Sequence, residues 1–142
     1  MKVKHLMTPN VISITPDESA AVAARLLTHY NIGALPVCTA QGKLCGMVTD
    51  RDVVIRCVAA NLDPGKTQVK QIMTRPVQTV TPDMEAGVAA HLMGSRQIRR
   101  LPVVNDGILC GMVSLGDIAR QEDSVMDAAD ALQDITEGIS IR

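Results

Sequence analysis

The chain contains one sequence pattern written twice. Residues 6–17 read LMTPNVISITPD, and residues 72–83 read IMTRPVQTVTPD. The likeness continues through Leu-Pro-Val at 35–37 and 101–103, and through Leu-Cys-Gly-Met-Val at 44–48 and 109–113. The register between the copies shifts by one residue, in the loop after residue 37. A duplication within 142 residues predicts two small, similar units related by pseudo-two-fold symmetry.

Both copies have the same order of predicted elements. An extended segment with alternating apolar residues comes first, and Thr-Pro-Asp then indicates a helix start, with Thr15 as the N-cap in the first copy. An apolar strand, a Gly-containing turn and another strand predict a hairpin. A second helix is predicted near Asp52 and near Asp117. Each copy is therefore predicted as β-α-β-β-α, and the chain as an α/β protein of the α+β type.

The duplication also predicts the domain boundaries. The first repeat covers residues 1–62, residues 63–71 form the linker and the entry to the second repeat, and the second repeat covers 72–120. Residues 121–142 are predicted to form an acidic amphipathic helix, with Ser124 available as its N-cap. The apolar positions of this helix are Val125, Ala128, Ala129, Leu132 and Ile135.

Composition excludes several classes of function. Fourteen basic and fifteen acidic residues give a net charge of -1, so no overall field attracts nucleic acid or anionic lipid. A nucleic-acid site would depend on Arg96, Arg99 and Arg100 alone, and the acidic tail opposes it. No apolar run approaches the roughly 20 residues that span a bilayer, and the start lacks a secretory signal, so we expect a cytoplasmic protein without a membrane partner.

The sequence predicts no catalytic residue, metal site or catalytic cofactor. His5, His29 and His91 are the only histidines, and none of them recurs in the other copy. Neither a zinc-binding histidine pair, nor a nucleophile motif, nor a Gly-rich phosphate loop is present. The four cysteines lack CxxC spacing and are predicted to be buried free thiols. We therefore expect a protein that is not an enzyme.

Two repeated carboxylates are the best candidates for a binding site. Thr49 and Asp52 follow the end of a predicted strand, and Ser114 and Asp117 repeat this arrangement. Favourable interaction of the carboxylate with the helix dipole is the simpler explanation. However, a hydroxyl and a carboxylate at a helix start also suit a ribose phosphate, because this end of a helix attracts anions and the carboxylate accepts hydroxyl protons.

With these motifs in place, the repeat resembles a CBS domain, and the pair resembles a Bateman module. The resemblance rests on the opening Met-Thr, the later Thr-Pro-Asp, the Leu-Pro-Val strand and the final Gly-x-x-[Ser/Thr]-x-x-Asp, all present twice over residues 3–120. It implies a regulatory module that binds AMP, ADP, ATP, NAD or S-adenosylmethionine in clefts between the repeats. Occupancy would be signalled to a partner protein.

The resemblance also implies the ligand-binding residues. In related modules the base is held by aliphatic groups, which suits a chain whose only aromatic residue besides histidine is Tyr30. For the first cleft these residues are Ser13, Ile14, Thr15, Ile32, Ala34, Leu35, Pro36, Thr49, Arg51 and Asp52. For the second cleft they are Thr79, Val80, Thr81, Ile98, Arg99, Arg100, Leu101, Pro102, Met112, Ser114 and Asp117.

The copies differ most just before Leu-Pro. The first has Gly33-Ala34, whereas the second has Arg99-Arg100. In related modules a basic residue here reaches the phosphates held in the first cleft, and arginine is suited to this contact. A solvated basic edge is the simpler explanation. The first cleft is thus predicted to take the phosphorylated ligand, and the second to take a less charged ligand or to stay empty.

Two alternatives concern partners. The chain could instead be a ligand-independent interaction module that uses its helical faces or its C-terminal helix. A homodimer is also predicted, because the helix with Val53, Val54, Ile55 and Val58 carries more apolar surface than a small unit can cover. The sequence does not distinguish a parallel from an antiparallel dimer.

Overall fold

The computed structural model of the protein describes residues 1–75, 77–121 and 125–140, and it divides the chain into two compact units. The repeat-1 unit consists of Ile12–Val77. The repeat-2 unit combines Met1–Val11 with Gln78–Arg142. The units therefore exchange the segments that open the two repeats, whereas the boundaries predicted above follow the duplication in the sequence.

The helices and strands confirm a mixed α/β fold with two similar repeats. The strands are β1 (Thr8–Pro9), β2 (Ala34–Cys38), β3 (Leu44–Thr49), β4 (Arg100–Asn105) and β5 (Ile108–Ser114). The α-helices are α1 (Ala20–His29), α2 (Asp50–Asp52), α3 (Val69–Ile72), α4 (Ala86–Arg96), α5 (Leu115–Ala119) and α6 (Val125–Ser140). A 3₁₀ turn covers Val3–His5, and a π-helical segment, Val53–Val58, continues α2.

In the repeat-1 unit, β2 and β3 form the predicted antiparallel hairpin. Leu35 pairs with Val48, and the register shifts between Val37 and Cys38. The extended segment before α1 joins this sheet at one point, where Ile14 bridges Val37 in parallel. Hairpin residues Leu35, Val37 and Val48 share one core with the Ala-rich face of α1. The core comprises Ile14, Ala20, Ala23, Leu27, Leu35, Val37, Val48, Val53, Cys57, Val69, Ile72 and Met73.

The repeat-2 unit repeats this arrangement and adds helix α6. Its sheet has the order β1-β5-β4, and Val80 bridges Val103 as Ile14 bridges Val37. Helix α6 packs on α4 and α5. The core comprises Val3, Val80, Ala86, Ala89, Ala90, Met93, Leu101, Val103, Val113, Leu115, Ile118, Ala128, Ala131 and Ile135.

The first helix begins later than predicted. Helix α1 begins at Ala20, and its N-cap is Ser19, whose hydroxyl accepts a hydrogen bond from the Val22 N–H. The backbone carbonyl of Thr15 instead accepts from the Glu18 N–H in a turn, and the Ala20 N–H donates to the carbonyl of Thr67. The prediction of a cap at Thr15 is wrong because the helix begins at Ala20, where a distant segment accepts the hydrogen bond of the first helical N–H.

The repeated Asp of Thr-Pro-Asp anchors an opening segment. Asp17 lies 3.0 Å from Lys70 Nζ, and Asp83 lies 3.0 Å from Lys4 Nζ. The hydrogen bond and positive charge of Lys4, together with the charge of Lys2, lower the pKa of the Asp83 carboxyl. The equivalent valines beside these lysines, Val69 and Val3, are fully buried. Each opening segment thus has a buried valine and an exposed lysine paired with the aspartate of Thr-Pro-Asp.

Helix α6 confirms the predicted C-terminal helix, with a different buried face. Ala128, Ala131 and Ile135 are buried, whereas Val125 and Leu132 are exposed. The predicted set missed Ala131 because the helix packs through small residues: a Cβ on Gly94 of α4 would lie 2.9 Å from the Ala131 Cα. The predicted cap Ser124 lies outside the described residues.

The cysteine prediction is correct in part. All four cysteines are free, but only Cys38 and Cys57 are buried, and Cys45 and Cys110 are half-buried. Burial, followed by the neighbouring Cys45, raises the pKa of the Cys38 thiol, and a hydrogen bond with Ser13 opposes this rise. Within the described part of the chain, no helix is long and apolar enough to cross a membrane.

Candidate functional site

The carboxylate of Asp52 is held at the point where β3 becomes α2. The Thr49 N–H donates to Asp52 Oδ2 at 3.0 Å, and the Asp52 N–H donates to Thr49 Oγ1 at 3.0 Å. This reciprocal capping satisfies two backbone donors that the helix start leaves without partners. Asp52 is only 7% exposed. The predicted pair Thr49 and Asp52 therefore forms a rigid, largely buried carboxylate.

Asp52 has two further partners: Thr74, in the segment that opens the second repeat, and Arg56, in the π-helical segment. The Thr74 hydroxyl lies 3.2 Å from Asp52 Oδ1 and 3.3 Å from Oδ2. Arg56 Nε lies 3.8 Å from Oδ1, and its Nη1 donates to the carbonyls of Ile72 and Met73. Thr74 and Arg56 were not predicted as site residues. The repeated Met-Thr pair was the available indication of the role of Thr74.

The equivalent carboxylate in the repeat-2 unit has the same cap but different neighbours. Ser114 N–H donates to Asp117 Oδ2 at 2.9 Å, and Asp117 N–H donates to Ser114 Oγ at 3.1 Å. Arg120 Nη1 contacts Oδ1 at 3.1 Å. The side chain of Asp117 is 18% exposed, against 9% for Asp52. Asp117 is therefore the more accessible carboxylate, and it is paired with an exposed arginine.

The other candidates in the repeat-1 unit fall into two groups. Ile14, Leu35 and Pro36 are buried, and the backbone of Ile14 is bonded to Pro36 and Cys38. The other group is accessible: Ser13, Thr15, Ile32 and Arg51 are exposed, and Ala34 is half-buried. The side chains of the buried group contribute to packing, and the predicted contact of either group with a ligand stays a prediction.

The repeat-2 candidates divide in the same way. Val80, Leu101 and Pro102 are buried in the core region, and the N–H and carbonyl of Val80 are both hydrogen-bonded within the sheet. Thr79, Ile98 and Met112 are half-buried, whereas Thr81, Arg99 and Arg100 are exposed. Met112 lies opposite Thr8 of β1. In this unit too, the accessible candidates lie next to the core.

One cavity of the repeat-2 unit brings Arg99, Arg100 and Ser114 together. It has a volume of about 440 Å³. Helix α6 supplies one wall through Val125, Ala128, Ala129 and Leu132. The second unit therefore places both arginines beside its own Ser114. Their predicted contact with phosphates in the first cleft stays a prediction, and the α6 wall was not foreseen because this helix has no copy in the first repeat.

Within the described residues, no group of three or more His, Cys, Asp or Glu side chains is placed to hold a metal ion. The buried polar atoms described are also satisfied: no buried side-chain nitrogen or oxygen there lacks a hydrogen-bond partner. The structure thus has capped carboxylates and a cavity as its candidate binding features.

The chain belongs to the CBS-domain family, whose model matches residues 3–58 and 69–124. It is 40% identical over 134 residues to the CBS domain-containing protein YhcV of Bacillus subtilis, with 94% of each chain covered. Tandem CBS domains are typically regulatory and nucleotide-binding modules, and stand-alone members are typically not catalytic.

Two solved structures have the same fold. A crystal structure of Hypoxic Response Protein I with two coordinated zinc ions has a TM-score of 0.79 at 32% identity, covering 85% of this chain and 98% of that one. A hexameric CBS-CP12 protein from bloom-forming cyanobacteria has a TM-score of 0.73 at 30% identity, covering 89% of this chain and 73% of that one. Solved structures of other proteins thus share the fold of this chain.

Replacing Thr74 by valine tests the contact with Asp52. The valine keeps the shape of threonine but removes the hydroxyl, so the buried carboxylate loses a donor. We expect the free energy of unfolding to fall by about 1–2 kcal/mol. Urea denaturation followed by circular dichroism measures it. Thr74→Ser keeps the hydroxyl and should remain close to the wild type. Equal stability of the two variants would contradict a role for the hydrogen bond.

Proposed function

We propose that this protein is a regulatory, ligand-sensing module that binds an adenine nucleotide or another adenosyl ligand, of the AMP, ADP, ATP, NAD or S-adenosylmethionine class. The observation that carries this proposal is the capped carboxylate of Asp52. Membership of the CBS-domain family supports it, since tandem CBS domains typically bind nucleotides. Asp117, with the same cap, is the candidate for a second ligand.

The geometry at Asp52 suits a ribose. An ionised carboxylate has about four acceptor positions and no donor. In this structure Asp52 accepts from one backbone N–H and from the Thr74 hydroxyl, which is shared between its two oxygens. A neighbouring pair of ribose hydroxyls would use the remaining positions, or would take the place of Thr74. The phosphate would benefit from the positive end of the backbone at Thr49.

The same geometry offers a way to report occupancy. Thr74 belongs to the segment that opens the second repeat, and it contacts Asp52 directly. A ribose hydroxyl that replaces the Thr74 hydroxyl would release one of the contacts that hold this segment. A ligand shifts an equilibrium only by its different affinity for two states. The exchange at Asp52 is such a difference, and it would pass the signal to a partner protein.

Isothermal titration with AMP, ATP, NAD and S-adenosylmethionine tests the proposal. Asp52→Asn keeps the volume but removes the charge, and we expect the Kd to rise about tenfold to a hundredfold. Asp50→Asn is the matched control, because this exposed carboxylate in the same turn accepts a hydrogen bond from the adjacent Arg51 N–H and has no other partner among the described residues. The absence of binding heat with all four ligands on ligand-free protein would contradict the proposal.

A second candidate role is association, with a homodimer as the proposed form. The π-helical segment exposes three apolar side chains, Val54 at 58%, Ile55 at 46% and Val58 at 57%, whereas Val53 is buried. Burial of such a surface would stabilise a pair of chains. Light scattering at working concentration should give the mass of a dimer. A monomer mass would contradict it.

Ligand-independent protein binding through α6 needs a surface substitution rather than a truncation. Removing α6 would uncover the core around Ala128, Ala131 and Ile135. Met126 is 73% exposed, so Met126→Lys changes only the outer face. Loss of a captured partner by this variant, with nucleotide binding intact, would favour the interaction role.

A further inference from the structure

The cavity of the repeat-2 unit has walls of two kinds. Its apolar wall is formed by α6, through Val125, Ala129 and Leu132, together with Leu115 and Ala119. Arg99 and Arg100 are also part of the lining. Helix α6 begins one residue beyond the part of the chain that the CBS-domain model matches. The cavity is therefore built by the repeat together with an element added to it.

Both arginines are exposed, and their side chains make no hydrogen bond or ion pair within the described residues. Two acidic groups of the same unit are paired with other residues. Asp117 is bonded to Arg120 and to the Ser114 N–H, and Asp127 of α6 lies 2.9 Å from His91 Nε2. Two adjacent guanidinium groups thus remain available beside an apolar wall.

We propose that this cavity binds a small amphipathic anion, with its anionic group on Arg99 and Arg100 and its apolar body along α6. The volume of about 440 Å³ lies within the range of small-molecule pockets, about 300–1,000 Å³. Arginine pairs with carboxylates and phosphates in a bidentate geometry. A medium-chain carboxylate combines one such group with an apolar chain, so it matches both walls.

A nucleoside matches this lining less well. Ribose hydroxyls need acceptors, and the lining side chains supply one hydroxyl, that of Ser114, which already accepts from the Asp117 N–H. Asp117 itself is not part of the lining. The inference goes beyond the proposed function, because it assigns a different class of ligand to a cavity in which the capped carboxylate does not take part.

Decanoate is the probe for this cavity, used below its micellar concentration in titration calorimetry on the full chain. Decanol and decyltrimethylammonium have the same alkyl chain without the negative charge. We expect decanoate to bind at least tenfold more tightly than either of them. The double variant Arg99→Ala with Arg100→Ala should weaken decanoate binding about tenfold or more. Arg96→Ala, outside the lining, should leave it unchanged.

A tryptophan substitution tests the α6 wall. Ala129 is exposed and lines the cavity, so Ala129→Trp should fill it and abolish decanoate binding without disturbing the core. Met126→Trp, on the same helix but outside the lining, is the matched control. Retention of decanoate binding by Ala129→Trp, or equal binding of decanoate and decanol, would overturn the inference.

The outcome is separable from that of the proposed function. Asp52→Asn should weaken the binding of AMP and leave the binding of decanoate unchanged. Ala129→Trp should abolish the binding of decanoate and leave the binding of AMP unchanged. If AMP and decanoate compete for the wild type and Ala129→Trp abolishes the binding of both, the cavity is the nucleotide site. That result would overturn the amphipathic assignment. Failure of AMP to bind, with decanoate binding intact, would leave this inference standing without the proposed function.

Discussion

Replacing Leu101 by alanine should lower the free energy of unfolding by about 2–5 kcal/mol. Leu101 is fully buried in the core of the repeat-2 unit and pairs with Val113 across β4 and β5. The substitution removes buried methyl groups and leaves a cavity, because the surrounding sheet and helices relax only in part. Urea denaturation measured by circular dichroism gives the change as a shift of the midpoint at constant slope.

Leu132→Ala is the control for this experiment. Leu132 is 45% exposed on α6, so the same truncation should cost well under half as much. Leu101→Ala as stable as Leu132→Ala would mean that Leu101 is not a core residue. The side chain of Leu101 would then be accessible, which would favour its predicted contact with a ligand. A large loss of stability instead makes any change in ligand binding by this variant indirect.

The Leu-Pro-Val motif shows where sequence reasoning about the site reached its limit. A short apolar strand beside a predicted cleft looks the same whether its side chains face the ligand or the core. Complete burial of Leu35 and Leu101 places their side chains in the cores of their units, and contact of their backbone with a ligand stays a prediction. The spacing of Thr49 and Asp52, by contrast, predicted a local geometry, and the structure has the reciprocal cap.

The fold was predictable because duplication repeats its local patterns. Both hairpins, with their glycines at positive φ in the turns, follow from local sequence. The start of α1 does not follow from local sequence, because the Ala20 N–H donates to the carbonyl of Thr67, which lies far along the chain. The exchange of the opening segments is equally non-local. Helix α6 occurs once, so comparison of the two copies gave no information on it or on its cavity.

The partners of Asp52 illustrate the same limit at the site. Thr74 lies 22 residues beyond Asp52 in sequence, and the hydroxyl reaches the carboxylate only because the segment that opens repeat 2 docks on the repeat-1 unit. Local spacing identifies the cap but not this contact. The role of the repeated Met-Thr pair becomes clear only once the docking of this segment is known.

In the repeat-2 unit, the glycine of the repeated Leu-Cys-Gly-Met-Val motif permits the equivalent docking of the segment that opens repeat 1. In the repeat-2 unit, Pro9 of β1 lies opposite Gly111 of β5. A Cβ on Gly111 would lie 2.5 Å from the Thr8 carbonyl oxygen and 3.1 Å from Met7 Sδ. The carbonyl belongs to the backbone of a paired strand, so it cannot move aside as a flexible side chain could. We therefore expect Gly111→Ala to displace β1.

The free energy of unfolding of Gly111→Ala should fall by about 1–3 kcal/mol, the usual cost of overpacking. Urea denaturation measures it, and hydrogen exchange should show faster exchange at the Val3 N–H, which the opening segment donates to Met84. Gly116→Ala is the matched control, since its nearest neighbour would be Ser114 Oγ at 3.7 Å, an ordinary contact. If Gly111→Ala is as stable as Gly116→Ala, close approach of β1 is not the reason for this glycine.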